Sequence, residues 1–220
     1  MQKSPAPLPA EGAAPERHFI FGYGSLINSL SRSVTGETGS AVAVKISGFE
    51  RHWSCISTDY GMSSVVVIAA KKAACNGVIV EVNPDQLANF DLRERGYQRV
   101  LVDVAQIDFY LTDSPLPAPI EGPVKIWLYQ AHKVILPCEN HPVVLSYLDV
   151  ILAGCLEYSS EFCEDFVALT QGWQHAMLND RQAPRYPRVQ VDVNTDLLNS
   201  YIQLSGALSD EKINLGYARS

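Results

Sequence analysis

The hydrophobic period of this chain changes once, near Pro142, and that change restricts the fold more than any other feature of its 220 residues. Before it, apolar residues come in short runs bounded by Gly, Pro, Asn and Asp, over 19–21, 41–47, 63–70, 76–82, 97–110 and 124–130. Val100, Val102 and Val104 alternate as a half-buried strand requires. One helix interrupts the series: Asn83 suits its N-cap, Pro84 its first position, Asp85 and Gln86 its first turn, and Gly96 its stop. After Pro142, Val144, Tyr147, Leu148, Ile151, Leu152 and Cys155 recur at helical spacing, and Phe162, Phe166 and Leu169 repeat the pattern after a cap at Ser160. The order predicts an α+β fold in which a sheet is followed by two helices. Pro115, Pro117, Pro119 and Pro123 predict a stiff loop before the last strand.

Composition bounds the class. With 47% hydrophobic residues the chain can bury a core as one domain with a helical appendage, so 1–17 reads as a disordered leader, 18–136 as the main domain and 137–220 as a helical extension packed on it. A net charge of −7 argues against nucleic acid or an anionic membrane as partner. No apolar run reaches the ~18 residues a membrane helix needs. The Pro-, Ala- and Glu-rich leader lacks the apolar centre of a secretory signal. Five cysteines, Cys55, Cys75, Cys138, Cys155 and Cys163, are scattered with no C-x-x-C pair, which fits reduced thiols in a cytoplasmic protein.

Two segments carry chemistry. In Phe21-Gly22-Tyr23-Gly24-Ser25-Leu26, glycines on either side of a tyrosine leave the backbone open where the first strand runs out. Such a turn can aim successive N–H groups at an anion or a developing oxyanion; the same glycines also suit a plain tight turn. In the helix before Gly96, Glu94 falls within ~20° of Leu87 at 100° per residue, so the apolar stripe ends in a carboxylate. A desolvated carboxylate there is pushed towards a useful base; the alternative is that Glu94 ties down Arg99 or a backbone amide.

Other constellations are thinner. Ser25 as an acylating nucleophile lacks the second glycine of a nucleophile elbow and an evident histidine base. Cys138, His141 and His132 have no second pair at metal-ligand spacing, and Gly22-x-Gly24 has neither a third glycine nor a P-loop lysine, so no metal and no cofactor are expected. Tyr129 is either a substrate hydrogen-bonding group or a core-edge tyrosine. Asp180 and Arg181 read as an ion pair or cap, or as a cover for the site mouth.

The stretch Tyr23–Leu26, together with Asp91-Leu92-Arg93-Glu94-Arg95-Gly96-Tyr97-Gln98-Arg99-Val100, resembles the γ-glutamyl cyclotransferase superfamily, which includes ChaC-like and AIG2-like proteins. Gly48-Phe49-Glu50-Arg51-His52-Trp53 is similar to the ChaC-like GYxRxFW segment, while the Asp-His-Arg-Gly-Thr-rich stretch that follows it there is reduced to Asp59-Tyr60-Gly61-Met62. The resemblance implies a mostly antiparallel, barrel-like sheet with flanking helices. It also implies release of 5-oxoproline from a γ-glutamyl amino acid, glutathione or γ-glutamylamine, with Glu94 as the catalytic acid–base and Tyr23, Gly24, Ser25 and Leu26, joined by Tyr129, on the substrate. A non-catalytic binder of γ-glutamyl compounds and a Ser25-dependent acyltransferase or amidase are the alternatives.

Overall fold

A computed structural model describes residues 16–34, 41–55, 60–94, 96–110 and 122–206. The leader up to residue 15, Asp59, Arg95 and Pro115, Pro117 and Pro119 lie outside the described residues. The elements run β1 (Arg17–Gly22), α1 (Ser29–Ser33), β2 (Ala41–Ser54), β3 (Ser64–Val82), α2 (Leu87–Arg93), β4 (Tyr97–Val102), β5 (Ile107–Phe109), β6 (Val124–Ala131), β7 (Val143–Val144), α3 (Leu145–Leu156), α4 (Ser160–Ala168), β8 (Thr170–Gln171), β9 (Met177–Leu178) and α5 (Thr195–Leu204).

Seven strands form one mixed sheet in the order β4-β6-β1-β3-β2-β5, with β8 beside β2; β1 with β6 and β2 with β8 are parallel and the other pairs antiparallel. One of its faces encloses a cluster drawn from strands alone, including Phe19, Phe21, Val44, Ile46, Ile79, Val102 and Leu128. Val102 comes from the edge strand β4 and Val44 from β2, near the opposite edge, so the sheet must curl to bring them together. The two edges are consecutive in sequence, β4 leading to β5 through a short 3-10 turn, and among the described residues no ladder closes the curl into a barrel. The other face packs on α3, α4 and α5 through Trp53, Val65, Val78, Leu148, Ile151, Phe162, Phe166 and Ile202.

Four expectations change. The stretch 97–110 is two strands, because Asp103 and Gln106 form a capping box that turns the chain and leaves Val104 exposed. The two runs 63–70 and 76–82 are one strand paired along β2, with an irregularity where Ser47 meets Ala74 and Phe49 meets Ala69. The helices after the sheet number three among the described residues, α5 being capped by Asn194, whose side chain accepts from the Asp196 and Leu197 N–H groups. The cap of α4 is Ser159, one residue earlier than expected.

Gly154 fixes the docking of α3. A Cβ there would stand 2.5 Å from the backbone N and Cα of Asn28, so the helix meets the segment after the Tyr23–Leu26 turn main chain to main chain. Gly154→Ala forces these apart; overpacking of this kind costs about 1–3 kcal/mol, or a few degrees of thermal midpoint per kcal/mol in a domain this size. An unchanged midpoint by calorimetry would contradict this docking.

Candidate active site

The 23–26 segment leaves β1 at Gly22 and turns at once. Ile27 N–H donates to the Gly24 carbonyl at 2.9 Å and Asn28 N–H to the Ser25 carbonyl at 3.2 Å, closing a short 3-10 turn. The N–H groups of Gly24, Ser25 and Leu26 precede the first of these bonds, and among the described residues none of the three donates a hydrogen bond. The turn is held from below. Arg32 donates to the carbonyls of Leu26 (2.8 Å) and Ile27 (2.6 Å), and Glu157 accepts from Ser29 N–H (3.0 Å) and the Asn28 amide (3.1 Å).

Gly24 is needed for space and not for a left-handed backbone, since its φ is −134°. A Cβ there would lie 2.8 Å from Val65 Cγ2 and 2.9 Å from the Tyr147 hydroxyl.

Glu94 comes to the same end of the sheet through strand register. β1 runs parallel to β6 with Ile20 opposite Trp127, and β6 places Ala131 opposite Tyr97, the first residue of β4. Glu94 is the C-cap of α2, half-buried, its N–H on the Phe90 carbonyl (2.8 Å) and its carbonyl accepting from Tyr97 N–H (3.1 Å). The helix therefore ends one residue before the carboxylate, and Gly96 at φ +95° turns the chain into β4. Tyr97 is pushed up to about 12 by burial and by the Glu94 carboxylate, with a hydrogen bond to Ser64 pulling the other way. Tyr23 is raised well above its ordinary value by burial, then by Tyr97 and Glu94. The Glu94 carboxylate thus acts on the phenols of Tyr23 and Tyr97, and Tyr147 of α3 has its own hydroxyl raised by burial, Tyr186 and Tyr97.

Two solved structures share this arrangement of elements. A γ-glutamyl cyclotransferase superposes at a TM-score of 0.50 with 14% identity, covering 85% of this chain and 98% of its own length. An uncharacterized protein from Homo sapiens does so at 0.50 with 16% identity, covering 86% and 99%. The chain has the γ-glutamyl cyclotransferase fold. No protein-family model and no curated protein matches its sequence.

Tyr129 is buried; its carbonyl accepts from the Tyr23 hydroxyl at 2.7 Å, and its own hydroxyl donates to Asp91 at 2.8 Å, with Arg99 on the same carboxylate at 3.1 Å. Ser25 meets no histidine in any hydrogen bond among the described residues. Cys138 and His141 approach to 3.9 Å in an exposed turn, and among the described residues no group of three or more His, Cys, Asp or Glu is placed to hold a metal. Asp180 is a cap: it accepts from Ser146 N–H (2.8 Å) and hydroxyl (2.5 Å) at the start of α3 and from Arg185 N–H (2.7 Å). Arg181 pairs with Asp149 through two 2.7 Å bonds, and not with its neighbour Asp180. Among the described residues no helix is long and apolar enough to cross a membrane.

The sequence assigns no role to Arg51, although it lies in the 48–53 segment of resemblance, nor to Asn76; both are fully buried. Arg51 was open to detection: on a strand's period of two it stands between Phe49 and Trp53, both buried.

Proposed function

We propose that the protein is a γ-glutamyl cyclotransferase, releasing 5-oxoproline from a γ-glutamyl compound by attack of its α-amine on its own γ-carbonyl. What supports this reading is the influence of the Glu94 carboxylate on Tyr23, the first residue of a turn whose Gly24, Ser25 and Leu26 N–H groups donate to nothing among the described residues, in the fold of a γ-glutamyl cyclotransferase. The reaction asks for little else. A folded substrate already holds amine and carbonyl together, with the large effective molarity of intramolecular attack. Glu94 takes the proton from the α-ammonium, which free in water titrates near ~8, and delivers it to the departing nitrogen. The main chain of Tyr23, Gly24, Ser25 and Leu26 receives the α-carboxylate or the oxyanion. Tyr129 acts through its carbonyl, which fixes the Tyr23 hydroxyl and with it the entry to the turn.

The direct test is 5-oxoproline release from a panel holding a γ-glutamyl amino acid, glutathione and a γ-glutamylamine. Turnover of at least one is expected, and silence on all three removes the reading. Because main-chain groups form the cradle, Ser25→Ala retains most of the activity. Its abolition, with an acyl-enzyme trapped in the wild type, would favour the serine nucleophile.

A further inference from the structure

Arg51 has no exposed surface and touches no carboxylate among the described residues. Neutral acceptors take its whole donor fork: Nε meets the Thr170 hydroxyl (2.7 Å), Nη2 the Asn76 side-chain oxygen (2.8 Å) and the Phe166 carbonyl (3.0 Å), and Nη1 the carbonyls of Asn76 (2.6 Å) and Tyr23 (3.4 Å). The guanidinium carbon lies 3.8 Å from the centre of the Phe166 ring. Burial lowers its affinity for the proton, yet an arginine keeps its charge at neutral pH. The nearby thiol of Cys75, held at about 12 chiefly by burial, is neutral. Phe166 lies near the C-terminal end of α4, whose dipole is worth roughly half a negative charge. A substantial positive charge is therefore left without a counter-ion among the described residues in a buried setting, an unfavourable arrangement.

The position of the fork shows where a counter-ion can act. The Tyr23 carbonyl that Nη1 faces belongs to the same peptide group as the Gly24 N–H, one of the three unclaimed donors of the turn. Positive charge at the oxygen end of a peptide polarises it and makes its N–H a stronger donor to an anion. We propose that Arg51 is a positioning residue whose uncompensated charge, relayed through the Tyr23–Gly24 peptide, selects the α-carboxylate of the γ-glutamyl head group, and that this carboxylate is its counter-ion. The inference rests on the cyclotransferase reading.

The probes are 5-oxoproline, which keeps that carboxylate, and its neutral primary amide, with both dissociation constants measured by calorimetry on the full chain. Wild type binds the acid in preference to the amide. Asn76→Asp sets a carboxylate where the Asn76 oxygen already accepts from Nη2 and compensates the charge; it gives up the amide's 2.7 Å bond to the Phe162 carbonyl and changes no residue of the turn. Acid affinity then falls about tenfold while amide affinity holds. Arg51→Met does the same if it folds, and Arg51→Lys, which keeps the charge, retains the preference. An acid preference that survives in a folded Asn76→Asp protein, as shown by its thermal midpoint, overturns the role of Arg51 alone. Wild-type protein that binds neither ligand and releases no 5-oxoproline removes the cyclotransferase reading, and this inference with it.

Discussion

Glu94→Gln lowers kcat by about 10² to 10⁴ while substrate binding and thermal midpoint stay close to wild type. The expectation of an intact fold comes from where the residue sits. At the end of α2 its N–H on the Phe90 carbonyl and its carbonyl on the Tyr97 N–H are main-chain bonds that a side-chain change leaves in place. Glutamine keeps the size of the group and can no longer accept the ammonium proton. A readout independent of turnover comes from Tyr97. Its hydroxyl is held at about 12 first by burial and then by the Glu94 carboxylate, so removing that negative charge lowers the titration while burial keeps it above the ordinary tyrosine range. Tyrosinate absorbance followed through alkaline pH in both proteins measures this directly. Near-normal turnover in a folded Glu94→Gln protein ends the assignment of the base, and a tyrosine titration that does not move separates Glu94 from the phenols around the turn.

Local signals marked the turn and the carboxylate of the candidate site and left the groups between them out of view. The turn could be read because β1 exhausts its apolar run at Phe21 and glycines follow; the helix before Glu94 could be read from Asn83, whose side chain caps the Asp85 N–H, and from Gly96 at its positive φ. Period went wrong where a cap overrode it: Val104 continues the alternation of Val100 and Val102, yet Asp103 and Gln106 satisfy each other's backbone and end the strand. The third helix past Pro142 did carry a signal, Asn194 followed by Leu198, Tyr201 and Ile202, all three buried at helical spacing. The Arg51 network is of another kind. Its partners Tyr23, Asn76, Phe166 and Thr170 are far apart in sequence, and nothing local in any of them announces the others. A buried guanidinium reveals its partners only once the sheet has curled and α4 has docked.

Gly24→Ala combines loss of activity with a measurable loss of stability, and the two can be pulled apart. A methyl group on Gly24 is driven to 2.8 Å from Val65 Cγ2 and 2.9 Å from the Tyr147 hydroxyl, both on stiff, buried side chains, so the wall must give way. Overpacking of that sort costs about 1–3 kcal/mol of stability. Displacing one well-placed oxyanion or carboxylate donor costs on the order of 3 kcal/mol of transition-state stabilisation, which is at least a hundredfold in kcat/KM. Ser25→Ala, one residue on, changes neither quantity to this degree. The decisive comparison adds Val65→Ala and Tyr147→Phe to Gly24→Ala, removing the atoms that the new methyl meets. If the turn is an anion cradle, the relieved variant regains its thermal midpoint while 5-oxoproline release stays low relative to the Val65→Ala/Tyr147→Phe background, because the methyl still shifts the Gly24 N–H from the ligand. If activity returns with the midpoint, Gly24 serves packing alone and the turn leaves the mechanism.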